Sequence, residues 1–215
     1  MKKALLLVSS MFILSAVPVF GKEIPVDVKD VIELRKTQFK ENVEVELFTG
    51  EWIVGEDINP GRYSVTCSED QSGNFFVYKD KSTESPDVNF ILENNGFGMG
   101  VTSATMDLYE GNVIELKGLD GVMFKPVESS FTKELTTGNW VVGVDVEEGK
   151  YIATTSEDTS GNVFVYNPGE YPDGYPEFNE VLGNGENNIG TEKAQMKLTK
   201  GQVIVISGIE KLYLE

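Results

Sequence analysis

Apolar and polar residues alternate with a period of two along most of this chain. Ala104, Met106 and Leu108 alternate with Thr105 and Asp107, and Ala194, Met196 and Leu198 do the same further on. Ile114 and Leu116, and again Ile204 and Ile206, line one face of the segment that follows. This is the period of a half-buried strand. Between these segments stand Tyr109-Glu110-Gly111-Asn112 and Thr199-Lys200-Gly201-Gln202, which read as hairpin turns with glycine at positive φ. Asn59-Pro60-Gly61 and Glu147-Glu148-Gly149 are expected to turn the chain in the same way, between a Trp-bearing and a Tyr-bearing strand. Only residues 27–40 carry a helical stripe, made of Val28, Val31, Ile32 and Phe39. The pattern predicts an all-β chain of two tandem antiparallel β-sandwich or jelly-roll-like units, with a short N-terminal helix.

The pattern is written twice. Residues 68–78 read SEDQSGNFFVY and residues 156–166 read SEDTSGNVFVY, an offset of 88. The same offset aligns Trp52 with Trp140, Asp57 with Asp145, Gly61 with Gly149 and Tyr63 with Tyr151. Beyond Tyr78 the offset becomes 90 and aligns Asn89 with Asn179, Met106 with Met196 and Ile114 with Ile204. Solenoid units run about 20–50 residues, so this period is that of a whole small domain. The expected division is 22–41 as an N-terminal segment with the helix, 42–127 as the first β-repeat and 128–215 as the second. Met106 and Met196, and Ile114 and Ile204, are expected at equivalent core positions. Trp52 and Trp140, each in the T-G-x-W strand, are expected to be largely buried. The join at 125–130 is short and leaves little freedom for separation.

Composition narrows the class. Lys2 and Lys3 precede an apolar stretch from Ala4 to Val19, and Val19-Phe20-Gly21 has the form of a cleavage site. Residues 1–21 therefore read as a secretory signal peptide, and a retained anchor is disfavoured because the apolar run falls short of about 20 residues. Their removal leaves 16 of the 18 basic residues against 35 acidic ones, a net charge of −19. Such a surface repels nucleic acid and anionic lipid, so neither is expected as a partner, nor is membrane insertion after signal removal. Cys67 is the single cysteine; it alternates with Tyr63 and Val65 and reads as a buried strand residue.

Trp52-Ile53-Val54-Gly55-Glu56-Asp57-Ile58-Asn59-Pro60-Gly61-Arg62-Tyr63, with its copy from Trp140 to Tyr151, resembles the V-G-x-D-I-x-x-G-x-Y β-repeat. That repeat occurs in uncharacterised secreted proteins and lipoproteins of Gram-positive bacteria. The second copy departs from it with Val146 and Glu148 where Ile58 and Pro60 stand. The resemblance implies a fold and a compartment, and no activity.

Candidate chemistry is sparse. The chain has no histidine, so Ser-His and Cys-His nucleophiles and imidazole metal clusters are excluded. Ser68-x-Asp70-x-Ser72-Gly73 imitates the opening of a calcium loop, but the twelfth position is Lys79 or Asn167 instead of Glu, which excludes an EF-hand. The simpler reading makes the loop a strand connection in which Asp70 and Asp158 cap backbone N–H groups and Gly73 and Gly161 take positive φ. A low-affinity Ca²⁺ site on Glu69, Asp70, Glu157 and Asp158 is the metal hypothesis. Tyr171 and Tyr175 sit in an insertion of the second copy and are the candidate ligand-binding residues. Trp52, Trp140 and Phe97 are further candidates for a sugar-stacking surface. The expected function is that of a secreted, non-catalytic binding or structural module at the bacterial cell surface, with cell-wall or extracellular polysaccharide or protein as partner. The alternative is a carbohydrate-active enzyme using paired carboxylates.

Overall fold

The computed structural model describes residues 24–185 and 189–215. Residues 1–21, expected to be a signal peptide, lie outside them. The helix expected over 27–40 is α1 (Val28–Glu41), started by Asp27, whose side chain accepts the Lys29 N–H at 2.8 Å. Its buried face is Val28, Val31 and Arg35. Phe39, expected in the apolar stripe, is instead exposed, because the helix meets the sheet through its first two turns.

The rest is β. In the first half these are β1 (Val45–Ile53), β2 (Gly61–Cys67), β3 (Ser72–Tyr78), β4 (Val88–Glu93), β5 (Ala104–Leu108) and β6 (Val113–Pro126). In the second they are β7 (Glu134–Leu135), β8 (Thr137–Val141), β9 (Gly149–Thr155), β10 (Thr159–Tyr166), β11 (Phe178–Asn184), β12 (Ala194–Leu198), β13 (Val203–Ser207) and β14 (Leu212–Leu214). Among the described residues they form a ten-stranded sheet, β11-β10-β13-β8-β5-β2-β6-β3-β4 with β1 also on β6, and a four-stranded sheet, β12-β9-β14-β7. All named pairings are antiparallel except β5 with β8.

Register in the two halves follows the sequence offsets. Tyr63 stands opposite Met106 and Tyr151 opposite Met196; Trp52 is opposite Ile114 and Trp140 opposite Ile204. Val65 faces Phe124 as Ala153 faces Leu214. Met106, Met196, Ile114 and Ile204 are all buried, within one core cluster per half. The halves differ where β6 runs unbroken through Gly118 and Gly121, both at positive φ, while the matching stretch divides into β13 and β14 around Gly208. One bent strand therefore keeps the first half on a single sheet, and the division splits the second half between two.

Several turn expectations are corrected. Gly111 and Gly201 do take positive φ, yet the turns they serve are not hairpins: β5 pairs with β2 and β6 with β1, β2 and β3. Between the Trp and Tyr strands the positive-φ residues are Gly55 and Gly143, while Gly61 and Gly149 open the next strands against the rings of Tyr63 and Tyr151. In the twice-written loop it is Asp70 (φ 61°) and Asp158 (φ 55°) that are left-handed. Gly73 and Gly161 serve a different need: a Cβ there would strike the backbone carbonyls of Lys117 and Ser207. Trp140 is buried at 8% exposure, whereas Trp52 is only half-buried.

Candidate functional site

Chemistry-bearing side chains collect where the two halves meet. There β5 runs parallel to β8, with Ala104 opposite Thr137 and Thr105 opposite Gly138. The approach is close enough that a Cβ on Gly138 would overlap the Thr105 carbonyl, so glycine is required. Helix α1 covers this junction, packing Val28 and Val31 on Val141 and Val144.

Four charged side chains lie buried here. Arg35 donates through Nε and Nη2 to the two carboxylate oxygens of Asp107, at 2.9 and 2.6 Å. Its Nη1 donates to both oxygens of Asp145, at 2.8 and 2.9 Å, and to Ser129 Oγ in the join at 2.9 Å. Arg62 adds a contact to Asp107 at 3.3 Å, a bond to the Asn139 carbonyl at 3.0 Å and an approach of 3.5 Å to Asp145 Oδ2. Arg62 also lies 4.7 Å above the ring of Trp140. Two arginines against two aspartates cancel, which is the condition for burying such charges at all. Burial and the like charge of Arg35 push the Arg62 guanidinium down, while Asp145 and Asp107 pull it back. Alternation predicted Asp107 on the solvent face of β5. It is buried because that face meets the second half.

Above this tetrad opens a cleft of about 350 Å³. Val77, Val88, Met106, Val141 and Val203 supply apolar wall, and Tyr109, Asn139 and Tyr171 supply polar groups. The Asn139 amide is held by the Asp107 N–H donating to its Oδ1 at 2.8 Å. Asn139 lies beside the Tyr171 phenol and offsets part of the rise that burial imposes on it. Tyr171 also packs edge-on to Tyr166, ring centroids 5.4 Å apart. Burial raises both the Tyr171 and Tyr109 phenols, and the charge of Asp107 adds to the rise at each. Asp80, Asp87, Glu110 and Asp173 also line the cleft, with Lys79, which pairs with Asp173 at 2.6 Å. Burial, then the like charge of Asp173, raises the Asp87 carboxyl, and Lys79 offsets part of this. Such a cleft can hold a small, hydroxylated or weakly cationic group: phenols and carboxylates give directional polar contacts, and the valine wall gives apolar area.

Of the candidates from sequence, Tyr171 lines the cleft. Tyr175 does not; it is 92% exposed. Phe97 projects from a loop pinned by Glu93, whose carboxylate accepts the Gly98 and Met99 N–H groups at 2.6 and 3.1 Å. Trp52 and Trp140 are fixed by the bond each indole N–H makes to a carbonyl four residues back, Phe48 and Thr136. Glu69, Asp70, Glu157 and Asp158 are exposed on two separate turns. The expected cap by Asp70 and Asp158 is replaced by backbone bonding in the first copy, where the Asp70 N–H donates to the Asn94 carbonyl and the Asn94 N–H to the Gln71 carbonyl. Among the described residues there is no cluster of three or more acidic or cysteine side chains that could hold a metal ion. Sequence reasoning missed Asn139, Tyr109, Asp87 and the tetrad. One signal for them existed: at aligned positions the halves differ in chemistry, Arg62 against Lys150, Asp107 against Lys197, Asn139 against Glu51 and Tyr109 against Thr199.

No protein-family model matches the chain, and no curated protein matches it. Among solved structures, one from Sulfolobus Turreted Icosahedral Virus is 11% identical and covers 80% of this chain and 88% of that one, with a TM-score of 0.21. At that score the likeness carries no argument about fold or role.

Proposed function

We propose that this chain is an exported, non-catalytic binding module of the bacterial cell surface, and that it holds extracellular polysaccharide in the cleft between its halves. The observation that carries the reading is that the cleft gathers residues the two halves do not share. Tyr109 comes from the first, Asn139, Tyr171 and Asp173 from the second. A ring of hydroxyls finds phenols to stack on and carboxylates to accept its hydrogen bonds. The cleft's acids favour a neutral or amino-bearing polymer over a polyanion. Export is supported by the form of residues 1–21, and surface residence by the V-G-x-D-I-x-x-G-x-Y resemblance.

One observation favours a second reading. Asp87, with its carboxyl raised by burial beside Asp173, has the environment of a general acid in an enzyme that uses paired carboxylates. Incubating the purified protein with a panel of neutral, amino-bearing and anionic polysaccharides, while following both retention and release of soluble sugar, separates the two. Retention without release supports the module. Release that is lost in Asp87→Asn supports the enzyme. Retention by none of the panel removes polysaccharide as the ligand.

A further inference from the structure

The joint between the halves brings unlike surfaces together, and each end of the molecule carries an open counterpart of one of them. One side of the joint is β5 and the other is β8. At the offset of 90, β5 corresponds to β12; at the offset of 88, β8 corresponds to residues 49–53 of β1. Among the described residues β12 pairs with β9 alone and β1 with β6 alone, so each has an unpaired edge. An open edge is a template for another strand. A joint between unlike faces leaves one of each free at its ends and so propagates, into an open filament unless the rotation per copy closes a ring.

We propose that a second copy of this chain lays its β1 against β12 of the first, in parallel, as β8 lies against β5, building an open head-to-tail polymer. Three features of the internal joint have matching parts at the free edges. Gly138 is glycine so that the Thr105 carbonyl can approach. Its counterpart Gly50 has the same room with nothing in it: the nearest atoms to a Cβ there belong to Phe48 and Trp52, 3.8 Å away or more. In the polymer the backbone of Gln195, the counterpart of Thr105, fills that room.

Charge is the second feature. Inside, Arg62 and Asp107 on one side meet Asn139 and Asp145 on the other. Their counterparts are Lys150 and Lys197 on the β12 side, and Glu51 and Asp57 on the β1 side, all four exposed. Two positive charges thus face two negative ones. Third, Trp140 is covered by Arg62, while Trp52 is only half-buried; the counterpart of Arg62 is Lys150, which is placed to cover Trp52 of the next copy. Some internal contacts are not reproduced. Among the described residues the second half has no helix to match α1 and Arg35, the Thr136–Thr105 hydroxyl bond becomes Phe48 facing Gln195, and the Thr102–Glu210 bond becomes Glu192 facing Asp120. The joint between molecules is therefore weaker than the joint within one.

Sedimentation velocity of the purified protein over rising concentration tests this, at physiological salt where a screening length of about 8 Å mutes the overall negative charge. The expected result is a growing series of species with no preferred stopping point. A protein that stays monomeric up to the solubility limit overturns the proposal, and so does assembly that stops at a dimer. Two double variants then locate the joint: Lys150→Glu with Lys197→Glu, and Glu51→Lys with Asp57→Lys. All four positions are exposed, and unchanged melting confirms folding. Each variant alone needs a concentration at least about tenfold higher to associate, since like charges now meet. An equimolar mixture of the two regains assembly, because every mixed joint is complementary again. Variants that assemble as the parent does, or a mixture that stays dispersed, place any association elsewhere and overturn the assignment.

Discussion

Arg35 and Asp145 are ion-paired across the molecule, Nη1 lying 2.8 and 2.9 Å from the two carboxylate oxygens, with 5% and 1% of their side chains exposed. The pair ties the N-terminal helix to the second half, while Nε and Nη2 of the same guanidinium hold Asp107 of the first. One side chain therefore fastens three parts of the chain. Arg35→Ala leaves two buried carboxylates with Arg62 alone, and breaking a buried pair in this way costs about 3–5 kcal/mol. Chemical denaturation reads the loss. A change under about 1 kcal/mol contradicts the role given to the tetrad.

The two tryptophans separate by burial. Trp140→Ala is expected to cost about 3–5 kcal/mol, in the range for large aromatic core residues, because it also strips the ring from Arg62. Trp52→Ala, at a half-buried site, costs distinctly less. Equal losses in thermal or denaturant unfolding contradict this account of the difference.

In the twice-written loop the backbone assigns opposite outcomes to neighbouring substitutions. Asp70→Gly stays within about 1 kcal/mol of the parent, since glycine relieves a left-handed φ of 61° while loosening the unfolded chain. Gly73→Ala drives a methyl into the Lys117 carbonyl and costs about 1–3 kcal/mol. Melting temperatures of the two variants check this, and a tolerated Gly73→Ala sinks it.

Asp87 gives a pH dependence with a definite sign. Its folded-state pKa is raised, mainly by burial, so ionisation above the ordinary carboxyl range of about 4 weighs against the folded state. Asp87→Asn removes that cost. The variant is expected to be more stable than the parent at neutral pH, with the advantage fading as pH falls through the raised folded-state value and gone below the unfolded one. A variant less stable at neutral pH shows that Asp87 is held by a favourable contact instead.

Much of this architecture was legible because it rests on local periodicity. The period-two faces placed Met106 and Ile114, and the offsets carried them to Met196 and Ile204. The stripe of Val28, Val31 and Ile32 announced α1. What was not legible comes from contacts distant in sequence. Asp107 follows the alternation of a solvent-facing residue until β8 arrives on that face, and nothing near Arg35 tells that it meets partners 72 and 110 positions away. The loop glycines misled for a related reason. Gly73 faces a strand more than forty residues away, and sequence proximity gives only the turn. The cleft was half visible: Tyr171 stood out as an insertion, while Asn139 and Tyr109 sit inside the shared pattern and differ from their counterparts only in chemistry.

A ligand held in the cleft between the halves must be visible there. The deciding measurement is a crystal structure of the protein with a short oligosaccharide cut from whichever polysaccharide retains it in the binding screen. Sugar density is expected between Tyr109, Asp87 and Tyr171, within hydrogen-bond reach of the Tyr171 hydroxyl. Sugar seated away from the cleft, against Trp52 or Phe97, with the cleft unaltered, contradicts this expectation.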